Sequence, residues 1–443
     1  MAGLLGFIPS LQQVNRAAPG EPFLTHHLSF DSQGHAMWFR RSTTLAIAWL
    51  LSFPTLHSFA QEDHWKDLNA KVQLLEQAKK YPEALPLAEE TLRVAQATFP
   101  KDSPYVAMSV GNLARLYEDQ ANYAKAEPLY QQVISILSKA LGTGDPNVAA
   151  ARNNLAECYR LEGKYAEAEP LLKQALEVLE KTPGRGPDIA ASLNNLGLVY
   201  DAEARYAEAE REHDLALLIR EKMFSAEDPV VADSLNNLGQ VRRDQGNYAE
   251  AEVLYLRAVA IYTKASGPDG PDVSATLNNL GAVYWDQGMY SEAGSYYQRA
   301  LSIDQRVEGE GHPDVATDFT NLGTLYEAQG EFDKAEPLLQ RALDIDKRAL
   351  GEATPAVARD LGNLGTLYQQ QGRYDEAGKF YDQALAITTK TNISNRQVAE
   401  LMTNLASTPS VRAMGIDLVK LHQDIVSIDE NVQENSTPVS QET

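Results

Sequence analysis

The sequence predicts an all-α fold, namely a right-handed α-solenoid of about eight helix-turn-helix repeats followed by a C-terminal capping helix. Self-similarity at a fixed period is typical of such stacked architectures, and three markers share one period here. Leucines recur in steps of 41 or 42 residues at Leu113, Leu155, Leu196, Leu238, Leu280, Leu322, Leu364 and Leu405. A proline keeps this spacing from Pro104 to Pro355, and an alanine keeps it from Ala84 to Ala377. Their agreement predicts a solenoid over residues 61–406.

Residues 37–60 are predicted to be a secretory signal peptide. The charged pair Arg40 and Arg41 precedes a mostly apolar run of eleven residues, and small residues lead to a cleavage point after Ala60. The run is too short to cross a bilayer core of ~30 Å, so we expect no stable membrane insertion after cleavage. A buried core helix is the alternative interpretation. The signal predicts an exported, periplasmic protein, with secretion from the cell as the alternative location.

Met37 stands at the start of this segment, and a signal peptide belongs at the N-terminus of its precursor. Residues 1–36 contain no interpretable pattern. We therefore expect translation to begin at Met37 and residues 1–36 to be a disordered extension from an upstream start, with Met1 as the alternative.

Each unit of the repeat is predicted to contain two helices. In one unit, Leu277, Leu280, Gly281 and Tyr284 follow the spacing i, i+3, i+4 and i+7, which places them on one face of a helix. Gly288 ends this helix, because glycine readily takes the left-handed conformation that a helix C-terminus favours. A second helix follows, and the marker proline then opens the next unit, where its missing N–H costs nothing.

Small and large residues occupy fixed positions of the first helix. A small residue that follows the marker leucine is predicted to let the two helices of a unit approach closely; the set is Ala114, Ala156, Gly197, Gly239, Gly281, Gly323 and Gly365. One turn later, a tyrosine is expected to fill the space beside it; the set is Tyr117, Tyr159, Tyr200, Tyr284, Tyr326 and Tyr368. Arg242 breaks the tyrosine rule in one unit.

The units resemble tetratricopeptide repeats, specifically the 42-residue type found in kinesin light chains and many bacterial proteins. The run NNLGLVYDAEARYAEAE and the motif HPDVA at 312–316 carry this resemblance, which extends over about residues 64–406. It implies stacked helical hairpins and a protein-protein interaction scaffold, although a fold alone does not assign a function. The alternative function is a structural component that assembles oligomers through its convex face or its end helices. The chain lacks the heptad segment that precedes the repeats of kinesin light chains. We therefore expect a bacterial exported protein rather than a motor-cargo adaptor.

Both ends of the solenoid are expected to act as caps. The first unit keeps Tyr81 and Ala84 but lacks the Asn-Leu pair of the later units. Near the other end, apolar residues of a helix within 407–430 are predicted to cover the open face of the last repeat. The polar residues 431–443 are predicted to be a disordered tail.

The resemblance implies that a ligand lies along the concave side of the first helices, where the residue two positions before each marker leucine is exposed to it. This residue is polar in consecutive units: Asn153, Asn194, Asn236, Asn278 and Thr320. Asparagine both donates and accepts hydrogen bonds, so the row is predicted to bind the backbone of a peptide or protein segment. Alternatively, these side chains bond only across repeats or to water. For that role we favour the adjacent Asn154, Asn195, Asn237, Asn279, Asn321 and Asn363.

Charged and aromatic residues are expected on the same face. Four arginines are predicted to contact the partner: Arg115, Arg160, Arg243 and Arg359. Because they are cationic on an otherwise acidic chain, they would bind acidic side chains or a carboxylate. Alternatively, nearby acids such as Glu118, Glu157 and Asp201 neutralise them. Trp285 is predicted to anchor the partner, with packing against a neighbouring helix as the alternative.

Composition argues against several other functions. The chain has 61 acidic and 39 basic residues and a formal net charge of −22, which disfavours nucleic acid and anionic lipid as partners. The single cysteine, Cys158, permits no internal disulfide and is expected in the core. His64, His213, His312 and His422 show no ligand spacing, and no catalytic motif is present. We therefore expect no metal, no cofactor and no enzymatic activity. The sequence does not distinguish a monomer from an oligomer.

Overall fold

The structure, a computed structural model, describes residues 54–391. Within this range, sixteen α-helices pair into eight helical hairpins, numbered 1 to 8 along the chain. The first helices of the hairpins are α1 (Pro54–Gln77), α3 (Pro104–Asp119), α5 (Pro146–Glu162), α7 (Gly186–Ala202), α9 (Pro229–Asp244), α11 (Pro271–Asp286), α13 (Pro313–Ala328) and α15 (Pro355–Gln370). The second helices are α2 (Tyr81–Thr98), α4 (Tyr123–Leu141), α6 (Tyr165–Glu180), α8 (Tyr206–Met223), α10 (Tyr248–Ser266), α12 (Tyr290–Val307), α14 (Phe332–Leu350) and α16 (Tyr374–Thr391).

Polar residues before the marker prolines fix the starts of several first helices. The side chain of Asp145 accepts a hydrogen bond from the backbone N–H of Asn147 at 2.8 Å. The side chain of Asp228 accepts one from the backbone N–H of Val230 at 3.0 Å. Each bond satisfies a backbone donor that the helix itself leaves free, which stabilises the helix start by about 1 kcal/mol.

The turn inside each hairpin contains one residue in the left-handed conformation. Gly288 has a φ angle of 72°, as the sequence predicts, and glycines take this conformation in four other hairpins. Hairpins 1, 2 and 4 instead place Lys79, Ala121 and Ala204 at this position, with φ angles of 52°, 54° and 58°. A side chain with a Cβ atom is strained there, so these three turns are less favourable than the glycine turns.

The two helices of a hairpin pack most closely at the small residue after the marker leucine. A Cβ atom added to Gly281 would lie 2.4 Å from the ring of Tyr297, and one added to Gly365 would lie 2.6 Å from the ring of Tyr381. The predicted reason for these small residues is therefore confirmed. The side chain that fills the space comes from the second helix, however, and not from the tyrosine one turn later.

That tyrosine instead connects neighbouring hairpins. The hydroxyl of Tyr284 donates to Glu252 of the preceding hairpin at 2.7 Å, and equivalent tyrosines in other hairpins make the same bond. Arg242, the exception in the sequence, reaches the equivalent glutamate, because its guanidinium lies 2.8 Å from Glu210. The substitution therefore keeps the connection and replaces a hydrogen bond by an ion pair.

The stack of hairpins curves with its first helices on the inside. Along most of the stack, neighbouring first helices contact one another, whereas neighbouring second helices make no comparable contact. The curvature brings the turn of hairpin 1 against the start of hairpin 7, where Nζ of Lys79 lies 2.9 Å from Oδ2 of Asp314. The predicted all-α solenoid is confirmed, and its first helices line the concave side.

Some of the predicted segments lie outside the described residues. These are residues 1–36, most of the signal segment, the unit after α16, the capping helix at 407–430 and the tail at 431–443. Helix α1 begins at Pro54 and so includes the end of the predicted signal segment. Among the helices of residues 54–391, none combines the length and the apolar character needed to cross a membrane.

Candidate functional site

The row of asparagines lies mainly between hairpins. Asn153 and Asn236 are 1% and 4% exposed, and Thr320 is 7% exposed. The side-chain amide of Asn153 donates to Ser192 at 2.8 Å, and that of Asn236 donates to Thr276 at 3.1 Å. Each bond joins one first helix to the next. The predicted orientation towards the open groove is therefore wrong for Asn153, Asn236 and Thr320, because bonding to the following hairpin buries them.

Asn194 and Asn278 are partly exposed, and they also bond across hairpins. Asn278 donates to Asp318 at 2.6 Å and accepts from Asn321 at 3.2 Å. Asn194 accepts from Asn237 at 2.5 Å. The structural role expected of Asn237 and Asn321 is thus confirmed, and the first row shares it. Contact of Asn194 and Asn278 with a partner stays a prediction.

Two of the four predicted arginines are paired with acids of their own face. Arg160 donates twice to the carboxylate of Glu157, at 2.7 and 2.6 Å. Arg243 donates to Asp286 of the next hairpin at 2.5 Å. Such charge-assisted bonds are strong, so these guanidinium groups already have their counter-charges.

The other two arginines are paired as well. Arg115 donates to Glu76 of hairpin 1 at 2.7 Å. Arg359 donates to Asp346 at 3.2 Å and to Asp360 at 3.0 Å. The alternative in which acids of the chain neutralise the arginines is therefore the one that the structure supports. At each of the four positions, an acidic partner would meet a guanidinium group that already has an internal counter-charge.

Five carboxyl groups near the C-terminal ends of the first helices form no ion pair among the described residues. They stand five or six positions after the marker leucine: Glu118, Asp119, Asp201, Asp244 and Glu327. We call this set the carboxylate stripe. Asp244 and Glu327 accept only from uncharged amides, those of Gln240 at 2.9 Å and Gln370 at 2.8 Å. When these groups are ionised, the stripe therefore adds negative charge to the concave side that no ion pair of the described residues offsets.

Burial and mutual repulsion raise the pKa values within the stripe. Burial, followed by the charge of Asp244, raises the pKa of Asp201 to about 6. Burial, followed by the charge of Glu76, raises the pKa of Asp119 to about 7. Burial alone raises the pKa of Glu327 to about 7. A cation placed between these groups would favour their charged forms.

Trp285 is the most open of the large side chains predicted for the groove. It is 38% exposed and stands five residues after Leu280, in the same register as Arg243 and Glu327 of the neighbouring hairpins. An exposed indole offers a large apolar surface with one hydrogen-bond donor, which suits a binding surface. Its role as an anchor for a partner stays a prediction.

Part of this site was not predicted from the sequence. Glu118, Asp201 and Glu327 were expected on the groove face, with Glu118 and Asp201 as groups that neutralise the arginines, whereas Asp119 and Asp244 were not among the predicted groove residues. The available signal was the recurrence of an acid five or six residues after the marker leucine. Which acids already have a cationic partner depends on contacts between hairpins, and the sequence does not contain those directly.

Two buried pairs of aspartates were also missed. Asp304 and Asp318 share a hydrogen bond at the joint between hairpins 6 and 7, and Asp346 and Asp360 share one between hairpins 7 and 8. All four side chains are at most 4% exposed. Burial raises the pKa of Asp318 to about 8 with the help of the charge of Asp304, although the hydrogen bond from Asn278 lowers it. Burial and then the charge of Asp360 raise the pKa of Asp346 to about 7.

Other reactive side chains are buried away from the groove. Cys158 is fully buried, as predicted, and burial raises the pKa of its thiol. His213 is fully buried against Gly197, and neither ring nitrogen has a hydrogen-bond partner. Burial and then the charge of Arg220 lower the pKa of His213 to about 3. In the described part of the chain, no three His, Cys, Asp or Glu residues are grouped to hold a metal ion.

Comparison with known proteins gives a consistent match to one repeat family. The family model described as tetratricopeptide repeat matches residues 68–139, 107–181, 147–222, 188–264, 230–303, 272–348 and 356–408. No curated protein matches the chain.

Several solved structures are similar to the chain. BtubC (BKLC) from P. vanneervenii is 27% identical, with 52% of this chain and 91% of that chain covered and a TM-score of 0.42. A Podospora anserina protein with nearly identical TPR-like repeats of the kinesin-light-chain type is 25% identical, with 46% and 97% covered and a TM-score of 0.39. A Rap protein solved with Competence and Sporulation Factor is 15% identical, with 84% and 99% covered and a TM-score of 0.54.

Proposed function

Because the chain belongs to the tetratricopeptide repeat family, we propose that it is a non-catalytic scaffold that binds a protein or peptide segment in its concave groove. The observation that carries this proposal is the exposed Trp285 on the inner side of α11. Tryptophan is the residue type most enriched among side chains that dominate binding energy. Asn278 lies on α11 with Trp285, and other first helices carry Asn194 and the partly exposed groove arginines. These side chains would add polar contacts around such an anchor.

The curvature of the stack supports a segment as the ligand. The contact between Lys79 and Asp314 joins hairpins 1 and 7, so the concave side that the first helices line is strongly curved. An extended chain fits a surface of this kind better than a folded domain does. Such a segment can be held along several hairpins at once, since each hairpin presents the same positions to it.

Site-specific photocrosslinking tests the binding face. Benzoylphenylalanine would replace Ala282, on the inner helix α11, in one variant and Gln298, on the outer helix α12, in a matched control. In the exported fraction of the source cells, we expect a crosslinked partner from the Ala282 position and not from the Gln298 position. Adding Trp285→Ala should reduce the yield. Crosslinking from Gln298 alone would contradict binding in the groove.

A second candidate function is assembly of two copies through the outer face of hairpins 4 and 5. Leu215 and Leu218 on α8 are 42% and 46% exposed, and Val253 and Leu256 on α10 are 67% and 44% exposed. At the positions equivalent to Leu215 and Leu256, every other hairpin from 2 to 8 has a polar or charged residue. An apolar patch that interrupts such a pattern is typical of an interface.

The charges around this patch suit a second copy. Arg211 and Glu250 stand on the two helices with side chains 66% and 64% exposed, and within the chain they pair with Glu212 and Arg242. A two-fold contact would place the Arg211 of one copy near the Glu250 of the other. Light scattering during size-exclusion chromatography tests this candidate. We expect a dimer that dissociates with Leu215→Glu and Val253→Glu, and a monomeric parent protein would contradict it.

We also propose that the protein is exported to the periplasm, with secretion from the cell as the alternative. The support is the signal pattern at 37–60 and the position of the packing residues in α1. Trp65, Leu68 and Val72 are buried, and all three follow Ala60, so cleavage there would keep the packing part of the helix. N-terminal sequencing of the mature protein should begin at Gln61. A mature protein that begins at Met1 or Met37 would contradict the proposal.

A further inference from the structure

We infer that the segment bound in the groove carries lysine or arginine side chains, which the carboxylate stripe receives as counter-charges. This inference rests on the proposed function and specifies the chemistry of the partner. It reverses the expectation drawn from the sequence, in which the arginines of the groove bind acidic groups.

The first reason is that the cations of the groove are already paired. Each of Arg115, Arg160, Arg243 and Arg359 has at least one carboxylate of the chain within hydrogen-bond distance. Each guanidinium charge is therefore already offset by an acid of the chain, so an acidic ligand would gain less from it than from an unpaired arginine. The five acids of the stripe have no such cation, so charge complementarity favours a basic ligand.

The second reason is that the stripe contains buried acceptors without donors. Glu118 is 8% exposed, and its Oε2 atom has no hydrogen-bond partner. The Oδ1 atom of Asp201 is likewise buried without a partner. A buried carboxylate oxygen without a donor is unfavourable, and an ammonium or guanidinium group supplies three or five N–H donors. Burial raises the pKa of Glu118 well above its usual value, so a donor that carries positive charge would pair these oxygens and also favour their ionised forms.

The third reason is the aromatic ring within the same register. Trp285 follows Arg243 and precedes Glu327 in consecutive first helices, and its indole is partly open. The face of an indole attracts a cation, most strongly when carboxylates nearby complete its coordination. Asp286, the next residue, already holds Arg243 at 2.5 Å, so a guanidinium is stable at this level of the groove.

Titration calorimetry with two synthetic peptides tests the inference on the intact chain. The first peptide alternates Ala and Arg and has blocked ends, and the second has Glu in place of each Arg. We expect binding of the Ala-Arg peptide and none of the Ala-Glu peptide. An acidic protein attracts any polycation. The contribution of the groove acids to binding must therefore be measured separately from that of the overall negative charge.

Two matched variants make this separation. The groove variant combines Asp119→Asn, Asp201→Asn and Glu327→Gln. The control variant combines Glu180→Gln, Glu292→Gln and Asp333→Asn, three exposed acids of second helices that form no ion pair within residues 54–391. We expect the groove variant to bind the Ala-Arg peptide about tenfold more weakly or worse, and the control to bind it like the parent. Circular dichroism verifies that both variants fold.

Equal weakening in the two variants, or binding of the Ala-Glu peptide, would overturn the inference. Its failure is distinguishable from failure of the proposed function. If Ala282 crosslinks to a partner segment that lacks basic residues, the groove binds a segment and only the inference is wrong. If Ala282 crosslinks to nothing and neither peptide binds, both are wrong.

Discussion

Hairpin 4 buries a histidine between its two helices, whereas hairpins 6 to 8 bury aspartate pairs at the joints between them. His213 occupies the position that Tyr255, Tyr297 and Leu339 occupy in later hairpins. The same repeat geometry thus accommodates ionisable groups of opposite charge, and burial disfavours the charged form of each. Because a histidine gains charge at low pH and an aspartate gains it at high pH, the two regions should respond to pH in opposite directions.

The direction in which the stability of hairpin 4 changes with pH follows from the lowered pKa of His213. The pKa of His213 is about 3 in the folded chain and about 6.5 in an unfolded one. The unfolded state therefore binds a proton that the folded state does not. The stability that neutral His213 contributes is fully present above about pH 6.5 and is lost as the pH falls towards 3.

The stability of hairpins 6 to 8 changes with pH in the opposite direction. The pKa values of Asp318 and Asp346 are about 8 and about 7 in the folded chain, against about 3.9 in an unfolded one. Here the folded state holds the extra protons, which form the bonds to Asp304 and Asp360. Their contribution is fully present below about pH 4 and is lost as the pH rises through 7 to 8.

The largest expected effect comes from removing the loss of stability that the two aspartate pairs cause at alkaline pH. Asparagine at 318 and 346 imitates the protonated acid, since its amide donates to the partner aspartate and its carbonyl still accepts from Asn278 or Arg359. We expect Asp318→Asn with Asp346→Asn to raise the free energy of opening of α13 to α15 by about 2 kcal/mol or more at pH 9. At pH 5 the double substitution should change this free energy little. Hydrogen exchange resolved by helix measures the free energy of opening at both pH values.

The control for that experiment is Asp382→Asn, which alters an exposed acid of α16. It should leave the pH dependence of α13 to α15 as it is in the parent chain. An unchanged pH dependence in the double variant would mean that the aspartate pairs do not set it.

The next effect concerns the acid side of the comparison. Leucine fills the position of His213 in hairpins 3 and 7, as Leu172 and Leu339, so His213→Leu fits the repeat. We expect it to stabilise α7 and α8 by about 1.4 kcal/mol for each pH unit below 6.5. Urea unfolding between pH 4 and 7 measures this, with the exposed His64→Leu as the control. A gain that does not depend on pH would contradict the explanation.

A smaller effect distinguishes joints between hairpins in which asparagine bonds a hydroxyl from joints in which it bonds a carboxyl group. Asn236 donates to the hydroxyl of Thr276, whereas Asn278 donates to the carboxyl of Asp318. Asn236→Ala should cost about 1 kcal/mol at every pH, because both partners are neutral. Asn278→Ala should cost more above pH 8, about 2 kcal/mol, because its acceptor is then charged. Identical pH profiles for the two variants would contradict this assignment.

The smallest effect concerns the turns. Ala204 has a positive φ in hairpin 4, where the equivalent residue of hairpin 6 is Gly288. Ala204→Gly should stabilise hairpin 4 by about 0.5–1 kcal/mol, and Gly288→Ala should destabilise hairpin 6 by a similar amount. Thermal unfolding monitored by circular dichroism measures both. Loss of stability with Ala204→Gly would show that the strain at this turn is negligible.

These two regions also show how far the sequence alone leads. The period of Leu280 and Gly288 predicted the helices, the turns and the close packing, because each depends on residues within one hairpin. The orientation of Asn236 was not predictable in this way, since it depends on Thr276 of the next hairpin. The pairing of Asp304 with Asp318 and the contact of Lys79 with Asp314 likewise need the stack itself. The carboxylate stripe became visible only after the arginine pairs were known.

The most direct test of the account is carboxyl footprinting of the intact chain with the Ala-Arg peptide. Carbodiimide labelling followed by mass spectrometry reports each acid separately. The account predicts that the peptide protects Asp119, Asp201, Asp244 and Glu327 while Glu180, Glu292 and Asp333 react as in the free chain. Equal protection of both sets, or protection of the second set alone, would show that the concave groove is not where a basic segment binds.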